Sequence, residues 1–196
     1  MQKKIIAPGY MHDFQCLGGD CEDTCCQKWD INLDKKHYDL LAEKVISNSN
    51  DKDLFDKYTC LHDEAHSSDN NYAYIKLNES GYCPFLNTAG LCHLHDHYGV
   101  EPLSDVCAFF PRVLSEDDNT TELTGALSCP EVVRLCLFGD SDLHAMTKVS
   151  SAVLPREEYP VSRKIDAPED GYQKHFTEVR EQMILLMADN DYAFET

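Results

Sequence analysis

The chain has 196 residues, enough for one ordinary domain or one larger domain with insertions, and 42% of them are hydrophobic, as a globular core requires. Its 35 acidic residues outnumber 17 basic ones, which gives a formal net charge of −18. This charge argues against binding to nucleic acid or to an anionic membrane, both of which need a basic surface. An acidic surface attracts basic partners such as a lysine-bearing protein, although solubility alone is the simpler explanation.

The sequence also predicts a cytoplasmic protein with reduced thiols. No run of 18 apolar residues is present, so no membrane-spanning helix is expected, and the N-terminal stretch MQKKIIAPGYMHDFQC lacks the apolar core of a signal peptide. In a reducing compartment, the ten cysteines indicate metal binding or catalysis rather than disulfides. A chain of this length does not need disulfides to stabilise its core.

The first predicted elements are a strand and a helix. The segment WDINLD alternates between apolar and polar residues, as a half-buried strand does. Asp34 is then a good N-cap for a helix in which Tyr38, Leu41 and Val45 recur at helical spacing. Residues 47–71 are polar, and the segments SNSNDKD and HDEAHSSDNN within them predict loops on either side of LFDKYTC.

The middle of the chain predicts short strands and helices separated by turns. NYAYIKLNESGYCPFL alternates and contains the turn NESG, which predicts a hairpin leading into Cys83. AGLCHLHDHYG is a short segment that ends at Gly99, and LSDVCAFFPRVL predicts a break at Pro111. TELTGALSC alternates like a strand, and CPEVVRLCLFG predicts a helix with Pro130 at its first position and Gly139 past its end.

The chain ends with a predicted amphipathic helix in YQKHFTEVREQMILLMADND. Phe176, Val179, Met183 and Leu186 share one face of it. Asp191 then resembles the cap of a further helix, of which only five residues remain. We therefore expect the chain to be a fragment of a longer protein.

Eight of the cysteines form the pattern Cys16-x4-Cys21-x3-Cys25-Cys26, Cys83-x8-Cys92-x14-Cys107 and Cys129. Thiolates are soft ligands that suit zinc, copper(I) and iron–sulfur clusters. The two Cys-x2-Cys pairs of a zinc ribbon are absent, as is ferredoxin spacing. The radical S-adenosylmethionine pattern Cys-x3-Cys-x2-Cys begins at Cys21 but fails at Cys26, which directly follows Cys25.

The adjacent pair Cys25 and Cys26 is not expected to bind one metal, because successive side chains diverge. Either one of them binds while the other packs, or the pair serves two sites. Gly18 and Gly19 allow the preceding backbone to fold tightly round a metal or cluster.

Other potential ligands have simpler explanations. His93, His95 and His97 could bind zinc or copper from one strand face, but a loop or helix would scatter them, so an exposed polar segment is expected. Arg112 could hold a carboxylate, a phosphate or a helix C-terminus, or form a structural ion pair. Cys136 lies on the apolar side of its predicted helix and is expected in the core.

These elements predict an α+β fold that is helix-rich toward the C-terminus, with few short strands. Residues 1–150 are expected to form a compact cysteine-cluster domain that binds metal or an iron–sulfur cluster. Residues 151–171 are proline-rich and charged, which predicts a linker or surface loop. Residues 172–196 begin a helical C-terminal region.

Four sequence blocks, in this order, resemble the flagellin lysine-N-methylase family, within the YkgJ-like group of zinc- or iron-chelating CxxCxxCC-type proteins. The blocks are FQCLGGDCEDTCCQKWDINLD, GYCPFLNTAGLCHLH followed by LSDVCAFFPRV, LTGALSCPEVVRLCLFG, and ILLMADNDYAFET. The resemblance covers residues 14–139 well and the rest loosely. Family members are considerably longer, in keeping with a fragment.

The resemblance implies a protein-lysine N-methyltransferase that uses an iron–sulfur cluster, expected to be 4Fe-4S, and S-adenosylmethionine to methylate lysine amines of flagellin. It implies eight candidate cluster ligands: Cys16, Cys21, Cys25, Cys26, Cys83, Cys92, Cys107 and Cys129. One cluster needs four, so the choice among them, and the existence of a second metal, stay open. Cys60 and Cys136 lie outside the family pattern. No catalytic or cofactor-binding residue is predicted.

Two other interpretations stay open. One is a non-catalytic zinc- or iron-binding module with a structural or redox role, and the other is a compact protein whose thiols are merely buried. Binding of iron, sulfide and S-adenosylmethionine distinguishes the enzyme from both. Because thiolate-held metals contribute directly to folding, metal removal is expected to unfold residues 14–130 cooperatively.

Overall fold

The computed structural model describes residues 4–29, 31–116, 120–141, 145–161, 163–164 and 175–188. Within them the chain has the predicted α+β fold, with seven α-helices and two small sheets. The helices are α1 (Gly9–His12), α2 (Lys35–Val45), α3 (Ser49–Tyr58), α4 (His93–Tyr98), α5 (Asp105–Phe109), α6 (Pro130–Phe138) and α7 (Phe176–Ala188). The strands are β1 (Lys4–Ala7), β2 (Ile31–Leu33), β3 (Thr59–Leu61), β4 (Ala73–Ile75), β5 (Arg112–Glu116), β6 (Thr120–Gly125), β7 (Thr147–Lys148) and β8 (Arg163–Lys164).

The larger sheet has the strand order β7-β1-β6-β5-β8, with β1 parallel and β5 antiparallel to β6. Leu114 of β5 pairs with Leu123 of β6, and both side chains are fully buried. At the end of β6, a Cβ on Gly125 would lie 2.7 Å from a methyl of Val132 and 2.8 Å from the sulfur of Met11. Glycine at this position therefore allows α1 and α6 to pack closely against the sheet.

The smaller sheet has the order β2-β4-β3 and shares an apolar cluster with α2 and α3. Ile31 and Leu33 of β2 are buried in this cluster, and Tyr38 of α2 packs against Phe55 of α3 with ring centroids 5.4 Å apart. Because β2 also contacts α5, this sheet fixes the position of the cysteine on α5 relative to the loop before β2.

Several predicted elements are confirmed. The strand expected in WDINLD is β2, and Asp34 caps α2 by accepting the backbone N–H of His37. The predicted break at Pro111 separates α5 from β5, and α6 begins at Pro130 and is followed by Gly139. The C-terminal helix is present as α7. These features depend on residues close together in the chain, where local signals are strong.

Two predicted elements were wrong. SNSNDKD was expected to be a loop, but Asn48 caps a helix there, α3, whose Phe55 is buried. The hairpin expected in NYAYIKLNESGYCPFL does not form, since β4 pairs with β2 and β3 instead. The turn after β4 leads to a bridge between Tyr82 and Gln27, which connects it to the first cysteine-rich loop.

The predicted domain boundaries at residues 150 and 171 stay predictions. Within 151–161, Leu154 is buried against the core, whereas most of 162–171, and Asp191, lie outside the described residues. In the portion of the chain that the structure describes, no helix is both long and apolar enough to cross a membrane.

Replacement Leu123→Ala is expected to lower the free energy of unfolding by about 3 kcal/mol, because it leaves a cavity opposite the buried Leu114. The matched control is Leu137→Ala, since Leu137 is 62% exposed and its loss should change stability by less than about 0.5 kcal/mol. Denaturant unfolding of the two variants measures both values. Equal losses would contradict the assignment of β5 and β6 to the core.

Candidate functional site

The loop from Cys16 to Cys26 is held against the loop that precedes α4. A Cβ on Gly19 would lie 2.6 Å from the carbonyl oxygen of Ala89, so the two backbones approach closely there. Gly18 has φ +58°, a conformation that glycine adopts without strain. The two glycines therefore let the backbone fold tightly between the first two cysteines, and its folding round a metal or cluster stays a prediction.

Backbone hydrogen bonds bring the next cysteines together. The N–H of Cys83 donates to the carbonyl of Cys26 at 2.8 Å, and Lys28 donates to the carbonyl of Gly81 at 3.0 Å. A bridge between Leu86 and Cys92 then closes the following loop, and the contact between β2 and α5 adds the helix that carries Cys107. Three distant segments thus converge.

Five cysteines form what we call the central group: Cys25, Cys26, Cys83, Cys92 and Cys107. Burial raises the pKa of the Cys83 thiol to about 11 and that of Cys107 to about 12. Repulsion between nearby thiolates raises these pKa values further. The charge on Cys25 raises the pKa of Cys83, of Cys92 and of Cys107. Without a cation, most of these thiols are therefore protonated, and a metal must displace their protons to bind.

The adjacent thiols of Cys25 and Cys26 interact directly. The Cys26 S–H stabilises the Cys25 thiolate and lowers the pKa of Cys25 to about 7, whereas the same hydrogen bond and burial raise the pKa of Cys26. Both sulfurs also lie near Cys83 and Cys92. One sulfur of the pair is thus prepared to ionise and the other to keep its proton.

Three cysteines form a separate outer group: Cys16, Cys21 and Cys129. The pKa of Cys129 is raised by burial and by charge on Cys21 and Cys16, against the influence of two backbone N–H groups at the start of α6 that face its sulfur. Helix N-termini favour thiolates. The eight candidates therefore divide into two groups, a division that the spacing alone did not reveal.

The spacing of the sulfurs is more open than one metal ion requires. Among the described residues, no three cysteine sulfurs all lie within 4.8 Å of one another. Four thiolates on one zinc, each at about 2.3 Å, would stand about 3.8 Å apart by tetrahedral geometry. Thiolates of a 4Fe-4S cluster bind four different irons rather than one shared ion.

Arg112 borders the outer group. Its pKa is lowered by burial, which the nearby Cys16 partly opposes. Its Nε–H donates to the carbonyl of Val153 at 3.0 Å, at the end of a short 3-10 helix, and its guanidinium stacks on Phe14. Of the roles predicted for Arg112, the structure supports binding to a helix C-terminus.

The remaining candidates have structural roles. Cys60 lies beside Tyr74, and Cys136 lies beside Tyr10 and packs against the core. His93 is on α4 and donates from Nε2 to the buried carboxylate of Asp51 at 2.8 Å. The three histidines of α4 thus do not share a strand face.

One group of ionisable residues was missed from the sequence: Asp34, His37 and Asp105. One ligand atom from each lies within 4.8 Å of the others. Asp34 was identified only as a helix cap, and the i, i+3 spacing of Asp34 and His37 was the sole local signal. Asp105 joins them only because α5 packs beside β2.

Comparisons with known proteins identify relatives of the chain. It is 30% identical over 152 residues to the flagellar biosynthetic protein FliU of Salmonella muenchen, covering 75% of this chain and 84% of that protein. It is 30% identical over 148 residues to a lysine-N-methylase of Salmonella typhimurium and 29% identical over 148 residues to one of Salmonella choleraesuis. The chain spans 35% of the length of these two methylases. No family model and no solved structure matches it.

Proposed function

The chain belongs to the family of the lysine-N-methylases and FliU, and from this premise we propose that it is the cysteine-rich part of a protein-lysine methyltransferase. In this proposal the enzyme transfers methyl groups from S-adenosylmethionine to lysine amines of flagellin, and its central group holds a 4Fe-4S cluster. The observation that supports the cluster is the convergence of five cysteines from three distant segments.

Four of these five cysteines are the proposed ligands: Cys25, Cys83, Cys92 and Cys107. Cys25 is chosen over Cys26 because its thiolate forms most readily and because it interacts with all three others. Cys26 keeps its proton and donates a hydrogen bond to the sulfur of Cys25. Such hydrogen bonds to ligand sulfurs tune the properties of a cluster.

The substrate lysine sets the chemical requirements. Its ε-ammonium has a pKa of about 10.4 in water, so a base or desolvation must remove a proton before the nitrogen can attack. The neutral amine then forms a bond to the methyl carbon in line with the departing sulfur, whose bond to that carbon breaks. When bound, the cluster supplies redox-active iron and a fixed position beside which the methyl donor can be held.

The proposed function is tested on protein purified without oxygen. We expect about four irons and four sulfides per chain, with absorption near 400 nm, as 4Fe-4S clusters show. The full-length protein is then incubated with flagellin and S-adenosylmethionine, and methylated lysines are counted by mass spectrometry. Flagellin with acetylated lysines is the control substrate, and unmodified flagellin after incubation would contradict the proposal.

A non-catalytic metal module is the second candidate, favoured by the existence of the outer group. This group includes Cys129 at the start of α6, and thiolates are ligands that zinc accepts. Zinc without sulfide, together with no methylation by the full-length protein, would support this alternative.

The variants Cys25→Ser and Cys26→Ser are expected to differ. Loss of a ligand in Cys25→Ser should remove most of the iron, whereas Cys26→Ser should keep the iron and change only the reduction potential of the cluster, because a hydrogen bond to its sulfur is altered. Iron content and potentiometric titration measure the two effects. The reverse pattern would show that Cys26 is the ligand.

A further inference from the structure

A cleft of about 1000 Å³ lies beside the start of α2, between α5 and residues 158–161. Five carboxylates and two lysines line it, so its surface is acidic: Asp34, Asp39, Asp69, Asp105 and Glu158 against Lys35 and Lys36. An acidic cleft of this size can accept a positively charged side chain. Neither the family resemblance nor the cysteine groups assigns a role to it.

Asp34 and His37 form a hydrogen-bonded pair in this cleft. Asp34 accepts the backbone N–H of His37 at 3.0 Å with one oxygen and the Nδ1–H of the imidazole with the other. Burial raises the pKa of Asp34, but the hydrogen bonds from His37 outweigh burial and the net shift is downward. Asp34 is therefore ionised, and it holds the imidazole proton on Nδ1.

The second ring nitrogen of His37 is available. The side chain is only 9% exposed, yet its Nε2 makes no hydrogen bond within the described residues. With the proton held on Nδ1, Nε2 carries a lone pair. A buried imidazole with a carboxylate on one nitrogen and a lone pair on the other has the arrangement of a general base.

The surroundings favour a singly charged ligand over a divalent metal. The guanidinium of Arg156 contacts Asp105 and is fixed by the carbonyls of Glu101 and Leu103 at 3.1 and 3.0 Å. Its side chain is only 3% exposed, so the guanidinium is buried beside Asp105. A divalent ion bound by Asp105 would be repelled by Arg156, and one bound at Nδ1 of His37 would break the pair with Asp34.

We propose that this cleft receives the ε-ammonium of the substrate lysine and that His37 is the base that removes its proton. The proposal rests on the proposed methyltransferase function. One N–H bond of the ammonium breaks, its electron pair stays on the nitrogen, and the proton moves to Nε2 of His37. The imidazolium is stabilised by Asp34, and its proton later leaves to the solvent through the open cleft.

Methyl transfer follows on the neutral amine. Its electron pair forms the N–C bond to the methyl group of a sulfonium donor, while the C–S bond breaks and leaves its pair on sulfur. Asp105 and Cys107 are two residues apart on α5, about 3 Å along the helix axis. The amine site and the cysteine centre are therefore joined by the same short helix.

Several charged groups surround His37 and enter the pH dependence of its role: Asp34, Lys36, Glu101, Asp105, Arg156, Glu157 and Glu158. Lys36 and Glu158 pair with each other, and Arg156 pairs with Asp105. Both additional cations are thus paired with a carboxylate, and Glu101 and Glu157 add further negative charge. The charge on Asp34 remains to stabilise the imidazolium.

The binding test uses the protein as purified without oxygen and n-butylammonium as the probe. The ring carbon signals of His37 and His66 are followed by NMR. His66 is a matched control because it forms the same i, i+3 pair with Asp63, at 2.5 Å, but on the exposed surface. We expect a saturable shift of the His37 signal only, and no shift with tetramethylammonium, which has no N–H to donate.

No response of His37, or equal responses of both histidines, would overturn the inference. Selective broadening of the His37 signal by manganese, with no response to the amine, would also overturn it, because the cleft would then be a metal site. This test needs no methyl transfer. Its failure is therefore distinguishable from failure of the proposed function.

The kinetic test uses the full-length protein with His37→Gln. At pH 7.5, kcat should fall about 100-fold, the usual contribution of a general base. The loss should shrink toward pH 10, where the lysine ammonium loses its proton to water without a base. His66→Gln should change kcat less than about twofold. An equal loss of kcat at all pH values, or a higher KM with unchanged kcat, would overturn the role of His37 as base.

Asp34→Asn is the second variant, since asparagine caps helices about as well as aspartate and should preserve the fold. Without the carboxylate, the imidazole is no longer held with its lone pair on Nε2. We expect a loss of kcat with the same pH dependence as in His37→Gln, and an unchanged melting temperature. Full activity of Asp34→Asn would overturn the proposed pair.

Discussion

Cys107→Ser is expected to lose nearly all of the iron, sulfide and absorbance near 400 nm, whereas Cys136→Ser is expected to keep them. Cys107 is the member of the central group supplied by α5, and its sulfur lies near Cys25, Cys83 and Cys92. Serine oxygen is a hard ligand that replaces thiolate poorly at iron–sulfur sites. Three remaining thiolates in the proposed ligand set are too few for a stable four-iron cluster.

Cys136→Ser is a suitable control because Cys136, like Cys107, is half-buried, but it lies on α6 beside Tyr10. Both variants replace the same atom. Iron and sulfide assays on protein purified without oxygen give the result directly. Equal iron in the two variants would exclude the central group as the cluster site.

Removal of the iron is expected to loosen the cysteine-bearing loops while the larger sheet stays folded. Residues 16–29 and 82–92 are joined by short backbone contacts and isolated bridges rather than by long strands. In contrast, β5 and β6 pair over five positions around the buried Leu114 and Leu123. Structural metals contribute on the order of 10 kcal/mol, so the loops that hold one depend on it.

Hydrogen exchange measures this effect residue by residue. After chelation, amide protection in the loops should fall about a thousandfold, whereas amides of β5 and β6 should keep most of their protection. The sequence alone predicted cooperative unfolding of residues 14–130, which includes these strands. Loss of protection in all of them together would support that broader prediction, and unchanged protection in the loops would contradict both.

Local structure was predictable where the decisive residues are neighbours in sequence. The cap at Asp34, the first turn of α6 at Pro130 and the end of α5 before Pro111 each depend on contacts within a few residues. The helix α3 was missed because its buried face includes a carboxylate, Asp51, whose partners His93 and Tyr98 come from α4. No pattern within α3 itself indicates those partners.

The sequence by itself determined which candidate ligands the chain carries: eight cysteines at characteristic spacings, in blocks that resemble lysine-N-methylases. Only the tertiary structure decided which of these cysteines lie near one another and that Asp34, His37 and Asp105 meet in a cleft. The physical reason is that ligand type follows from side-chain chemistry, which is written in the sequence. Proximity instead follows from how β2, β4 and α5 pack, which depends on contacts between residues far apart in the chain.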